Sequence, residues 1–277
     1  MLVVKNQMER FLMTKLAYAI LLAFASVTLF ADDHEMSVPN FVPLEIQQCE
    51  FADNKDMDDF LKLIPDWNKL LDEYSQFPYS GWTVTPHYRT ETNYTFDFGW
   101  LGVSDTWENF GSIYDVWFKN GSELAAKFDR IRTCKTQTIF GSQAIRPAKV
   151  RSETGVMLVS DCKLKDGITP MELAAADAKW NSYLDSIESD GGIYRWFPGP
   201  GAATDADYTF KNVITASSMT EWGKSSDTYV NGGGIQTQIL IYGDMLTCDN
   251  PRMYQTSNMR DVRTVSYTHL RAHETVS

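Results

Sequence analysis

The chain has 277 residues, with 25 basic and 36 acidic side chains, a net charge of −11 and 43% hydrophobic residues. That length suffices for two domains of ordinary size, and that apolar fraction for a packed core. The acidic balance excludes nucleic acid as a partner, because binding to phosphate backbones rests on lysine and arginine clusters.

From Met13 a short basic start leads into the apolar run 16–30, then Ala31 before Asp32 and Asp33. This pattern predicts a secretory signal peptide within 1–31, too short for a comfortable membrane span, with 1–12 read as an upstream start. A periplasmic or secreted protein with no stable span after signal removal follows. Residues 32–41 read as a linker, and histidines are then few: His34 and His87 before residue 265.

Residues 42–147 form a first predicted unit. Residues 44–51 make a strand. Met57, Phe60, Leu61, Ile64, Trp67, Leu70, Leu71 and Tyr74 then recur at helical spacing, with Pro65 kinking or restarting the helix. Residues 81–89 and 93–101 alternate as two strands around a turn at 90–92. Ser104 or Asp105 caps a second helix carrying Trp107, Phe110, Tyr114, Trp117 and Phe118, and residues 133–140 close the unit as a strand.

Residues 148–264 repeat this order. Strand 156–163 precedes a helix opened by Thr169, Pro170 and Glu172, a capping box with proline at the first helical position. Strands at 193–197 and 208–215 follow, then helical material at 219–246 broken by Gly232, Gly233 and Gly234, and a last strand near Cys248. Cys49, Trp67 and Asn68 match Cys162, Trp180 and Asn181, Tyr94 to Phe96 match Tyr208 to Phe210, Trp107 matches Trp222, and Cys134 matches Cys248, at offsets of 113 to 115. Such matches predict a tandem duplication.

Strand, helix, strand, strand, helix, strand is the ferredoxin-like unit, so the fold class is α+β with two fused repeats. Its first and last strands are antiparallel neighbours, which brings Cys49 to Cys134 and Cys162 to Cys248. Disulfides at both pairs are expected in an oxidising compartment, each closing a loop of about 85 residues and contributing roughly 4 to 5 kcal/mol by the chain-entropy argument. Two such units in one chain resemble the dimeric α/β-barrel superfamily, which includes the antibiotic-biosynthesis-monooxygenase and NIPSNAP-like families. That resemblance, carried by topology and duplication over 42–262, implies paired sheets facing each other around a central cavity. The chain also resembles exported proteins of marine bacteria, from which no function follows.

In such a barrel Trp82, Val84 and Tyr88 with Tyr94, Phe96, Phe98 and Trp100 are expected to pack on the helices. Thr83, Thr85, His87, Arg89, Thr95 and Asp97 then face the cavity, joined by Arg195, Phe197 and Lys211 from the second repeat. His87 reads as a general base or haem ligand, or as an exposed loop residue beside Pro86. Asp97 and Lys211 read as an ion pair between the repeats, and Trp196 as the edge of a ligand mouth or part of a rigid loop. The ligand-site candidates are thus His87, Arg89, Asp97, Arg195, Trp196 and Lys211. No metal site and no cofactor is predicted, with haem the one open possibility. Three functions remain: a monomeric binding module holding a small, partly apolar ligand between its repeats, a haem-dependent or cofactor-independent monooxygenase-like enzyme, or a structural protein with a filled interior.

Residues 265–275 resemble the in-frame translation of a transposase sequencing adaptor, which implies that 265–277 are a cloning or assembly scar. With both ends set aside, 21 basic and 34 acidic residues remain, a charge of −13.

Overall fold

The computed structural model describes residues 40–88, 90 and 96–261. Arg89, residues 93–95 of the predicted third strand, and the stretches read as signal peptide and scar lie outside the described residues. The first half runs β1 (Val42–Phe51), α1 (Met57–Leu61), α2 (Ile64–Tyr74), β2 (Tyr79–Tyr88), β3 (Phe98–Ser104), α3 (Trp107–Asn120), α4 (Ser122–Asp129) and β4 (Arg132–Arg146). The second runs β5 (Thr154–Leu164), α5 (Pro170–Ser186), β6 (Gly192–Pro198), β7 (Phe210–Ala216), α6 (Met219–Asn231), α7 (Gly234–Tyr242), β8 (Leu246–Cys248) and β9 (Arg252–Arg260).

Local chemistry sets the helix ends. Pro65 sits in the first turn of α2, where its missing N–H costs nothing, so it restarts the helix after α1. The capping box of α5 is complete, with the Thr169 hydroxyl accepting from the Glu172 N–H and the Glu172 carboxylate from the Thr169 N–H. The cap of α3 is Thr106 rather than Ser104 or Asp105. Ser104 donates instead to the Pro78 carbonyl at 2.8 Å, and Asp105 accepts from the Asn109 side chain at 2.7 Å. Gly233, at a φ of 86°, takes the left-handed conformation that separates α6 from α7.

The strands form one antiparallel sheet in the order β7-β6-β4-β1-β3-β2-β9-β5, and β5 pairs again with β7 to close an eight-stranded barrel. β8 is a short hook beyond β9 on the same edge of β5, and the last barrel strand begins at Arg252 rather than near Cys248. Cys49 faces Cys134 across β1 and β4, Cys162 faces Cys248 across β5 and β8, and both pairs are disulfide-bonded. No helix among the described residues is long and apolar enough to cross a membrane.

The barrel interior is filled. Leu44, Val84, Leu101, Phe140, Met157, Val159, Trp196, Val213 and Tyr254, from eight different strands, meet in one buried cluster with Phe96. Facing sheets around an open central cavity are therefore corrected to a packed core. The register explains which side chains enter it: Trp82 pairs with Leu101 and Thr83 with Trp100, so Trp82 and Val84 point inward while Trp100 points to the helices. Phe98 and Trp100 do pack outside, with Phe60, Ile64, Trp67, Phe110 and Phe128. Phe96, just before β3, turns inward and stacks on Tyr254 at 6.3 Å.

Replacing Cys49 and Cys134 together by serine is expected to lower the unfolding free energy by about 2 to 5 kcal/mol in urea titrations, because the closed loop spans 85 residues. A loss below about 0.5 kcal/mol, the size of an ordinary surface substitution, would contradict this role.

Candidate functional site

Residues that alternate with the barrel core on β1 point the other way, beneath the helices of the first half. Glu45 and Gln47 stand there between Leu44, Ile46 and the next inward position. Glu45 is only 5% exposed, so its carboxylate needs partners. Tyr79, at the start of β2, donates its hydroxyl to Glu45 Oε1, and Tyr114 of α3 donates to Oε2. Gln47 Nε2 adds a third bond to Oε2 at 3.0 Å, and Trp100 Nε1 donates to the Tyr79 hydroxyl at 2.9 Å.

Two glycines permit this arrangement. Gly102 pairs with Glu45 on one side and Gly81 on the other. A Cβ on Gly102 would lie 1.8 Å from the Tyr79 hydroxyl, and one on Gly81 would press on Trp67 at 3.2 Å. The bare backbone makes the recess in which Tyr79 reaches the carboxylate.

Above that floor lies a cavity of about 280 Å³, bounded by Trp67 and Trp100, by Trp117 and Phe118 of α3, by Phe128 of α4, and by Arg132 at the start of β4. Its size is near the lower end of small-molecule sites, and its mostly aromatic wall with a few convergent polar groups has the usual composition of one. Burial, and then the negative charge of Glu45, push the Tyr79 hydroxyl well above the ordinary tyrosine range. The same two causes, in the same order, push Tyr114 up. Burial lowers the Arg132 guanidinium, against the opposing pull of Asp129 and Glu45.

Of the six ligand residues expected from the sequence, the five that are described do not line this cavity. His87 is exposed near the end of β2, with its ring against Tyr88 at 4.9 Å. Arg89 lies outside the described residues. Asp97 is exposed and accepts the Phe51 N–H at 2.8 Å. Arg195 and Trp196, as neighbours on β6, point to opposite faces: Trp196 into the barrel core, Arg195 outward beneath α5. There Arg195 makes two 2.6 Å bonds to Asp177, lies over the Phe210 ring at 4.9 Å, and shares Asp177 with the Tyr242 hydroxyl at 2.8 Å.

Lys211 pairs with Asp161 at 2.5 Å, not with Asp97, so the expected pair between the repeats is corrected. Asp161 also holds Arg252 at 3.1 Å. The cause is register. Asp97 N–H bonds the Cys49 carbonyl and Thr209 N–H the Cys162 carbonyl, while the Asp97 carboxylate accepts from Phe51 N–H and the Thr209 hydroxyl from Leu164 N–H. Asp97 thus matches Thr209, an offset of 112 where the tripeptide match gives 114.

Glu45, Tyr79, Trp100, Tyr114 and Arg132 are the residues that sequence reasoning missed as a site. A usable sign was Glu45 itself, a carboxylate flanked by Leu44 and Ile46 in a strand that has a helix layer to bury it.

No family model and no curated relative matches the chain. Among solved structures, a proposed monooxygenase from Lactobacillus acidophilus NCFM is similar at 10% identity over 80% of this chain and 95% of that one, with a TM-score of 0.50. One from Fusobacterium nucleatum subsp. nucleatum ATCC 25586 is similar at 9% identity over 80% and 94%, also at 0.50. At such identity these likenesses show a shared fold and nothing beyond it.

Two outcomes follow from the buried groups. The raised Tyr79 and Tyr114 stay protonated in the folded chain when free tyrosines ionise, so their contribution is intact below about pH 10 and is lost as pH rises above it. Urea midpoints should fall above about pH 10 and fall less steeply in Tyr114→Phe, whereas equal slopes in both proteins would contradict the network. Asp177→Asn should cost about 3 to 5 kcal/mol in the same titration, since it leaves Arg195 buried without its counter-charge, and a loss under about 1 kcal/mol would show that the pair is solvated.

Proposed function

We propose that the protein binds a small, partly apolar molecule bearing an acidic hydroxyl in the cavity beneath α2, α3 and α4, and that Glu45 takes up its proton. The observation that carries this reading is a buried carboxylate held by two tyrosine hydroxyls on the floor of an aromatic-walled cavity. A carboxylate offers about four lone-pair positions. Tyr79, Tyr114 and Gln47 occupy three and fix its orientation, which leaves one for a bound hydroxyl.

Monooxygenase-like chemistry without a cofactor is the activity this arrangement supports best. The substrate O–H bond breaks, the proton goes to Glu45, and the electron pair stays on the substrate oxygen. The resulting phenolate or enolate is the reductant and dioxygen the oxidant: a C–O bond forms at a substrate carbon as its C–H bond breaks, one oxygen atom stays there as a carbonyl, and the other leaves as water with the two substrate hydrogens. The two likenesses that share the fold are described as monooxygenases, which agrees with this reading.

Haem fits the cavity poorly. Among the described residues no histidine, free cysteine or methionine lines it, and the hydroxyls of Tyr79 and Tyr114 are already given to Glu45. A haemin titration is expected to leave the spectrum of free haemin.

The fold supports a finer reading as well. The strand orders β4-β1-β3-β2 and β9-β5-β7-β6 are the same arrangement twice, consistent with two fused ferredoxin-like repeats over 42–147 and 148–264. Closure within one chain favours a monomer, and two disulfides favour export to an oxidising compartment.

Oxygen uptake with hydroquinone tests the proton transfer. We expect protein-dependent uptake that falls roughly 100-fold or more in Glu45→Gln, which keeps the shape of the side chain and removes the base. No uptake by the unaltered protein, or equal uptake by Glu45→Gln, would contradict the proposal.

A further inference from the structure

Five arginines among the described residues are buried or half-buried, and four of them meet a carboxylate. Arg146 bonds Asp185 at 2.7 Å, Arg195 bonds Asp177 at 2.6 Å, Arg252 bonds Asp249 at 2.6 Å and Arg260 bonds Asp72 at 2.6 Å. Arg132 makes no ion pair among the described residues. Its Nε has no hydrogen-bond partner, as is also true of Arg146, Arg195 and Arg260, but its Nη1 lies against the sulfurs of the Cys49–Cys134 bridge, which are weak acceptors, rather than on a carboxylate. The guanidinium rests instead over the rings of Phe60 and Phe128, at 5.8 and 5.3 Å.

A desolvated cation that touches no carboxylate is costly, and such a group is better held where something else makes that contact. Arg132 lines the same cavity as Glu45. Asp129 and Glu45 also line the cavity, and each acts on Arg132 only through space. The guanidinium lies over two phenylalanine rings and lines the cavity, where a carboxylate is the partner that a guanidinium binds best.

We infer that the ligand of this cavity is a single-ring aromatic acid whose carboxylate pairs with Arg132 while its hydroxyl meets Glu45. This rests on the proposed binding site and adds its charge class. The cavity of about 280 Å³ suits one ring with two polar substituents, and the walls of Trp67, Trp100 and Phe128 suit the ring. A cation at one wall and an anion at the floor also set a direction. A neutral phenol satisfies only Glu45, and an acid without a hydroxyl satisfies only Arg132. Arg132 is in this sense the specificity-determining residue.

Isothermal titration calorimetry on the full, disulfide-bonded protein tests this with 4-hydroxybenzoate, its neutral amide 4-hydroxybenzamide, and phenol. We expect the acid to bind about 30-fold more tightly than the amide, the scale of losing one partner of a buried charge pair. The preference should vanish in Arg132→Gln and return in part in Arg132→Lys, which keeps the charge and loses the fork. The comparison of acid with amide needs no variant, so it stands even if Arg132→Gln fails to fold. Equal affinity for acid and amide, alongside measurable phenol binding, would overturn the carboxylate assignment and leave the Glu45 site standing. Failure of all three compounds to bind would overturn both.

Discussion

The pairing of β5 with β7 closes the sheet, and closure gives every strand a face inside the barrel. In an open antiparallel sheet one face meets the core and the other meets water. Here one face fills the barrel and the other, over much of the first half, lies under helices. Register then decides everything that follows, since a slip of one residue exchanges the two faces. The pairing of Trp82 with Leu101 commits both to the barrel and sends Thr83 and Trp100 outward. With the interior packed by side chains from eight strands, the space open to chemistry moves to the layer between sheet and helices.

The two halves use that layer differently. Beneath α2, α3 and α4 an aromatic shell stands off from the sheet, and the buried carboxylate of Glu45 is satisfied by neutral hydroxyls, so the surrounding volume remains accessible. Beneath α5 the polar groups satisfy one another. Arg195 is locked on Asp177, Tyr242 completes the set, and burial followed by the Asp177 charge pushes the Tyr242 hydroxyl up. Cation and anion there are already paired with each other through two charge-assisted bonds. A second cavity of about 260 Å³ lies further along α5 against α6, lined by Trp180, Tyr183 and Tyr229, and its charged groups among the described residues are Glu188, Asp190, Glu221 and Lys224. It contains no buried ion of the Glu45 kind.

Much of the architecture was legible in the residues themselves. The four cysteines at matching places foretold which strands are neighbours, and Thr169 with Glu172 foretold the start of α5. The register inside each strand pair was harder, because alternation shows that two faces exist and not which is which. Trp82 and Trp100 are equally apolar, and only the pairing of β2 with β3 assigns one to the barrel and the other to Phe60 and Trp67. The match of Tyr94 to Phe96 with Tyr208 to Phe210 misled by two residues, since Asp97 and Thr209 share one structural place whose role needs only a side-chain oxygen. The site was hidden for a related reason. Glu45 and Gln47 look like the solvent face of an ordinary strand, and Tyr114 like a core position of a helix. Only the folded chain brings them to a common point with Tyr79 and Arg132, from β1, β2, α3 and β4.

A crystal structure of the protein grown with 4-hydroxybenzoate tests the account most directly, because it reports at once where the space is and what the polar groups hold. The account predicts an ordered ring between Trp67, Trp100 and Phe128, with its hydroxyl on Glu45, its carboxylate on Arg132, and the barrel core unchanged. A ligand lodged among Val84, Met157, Val213 and Tyr254 inside the barrel, or Glu45 closed over by Tyr79 and Tyr114 with nothing bound beside it, would contradict it.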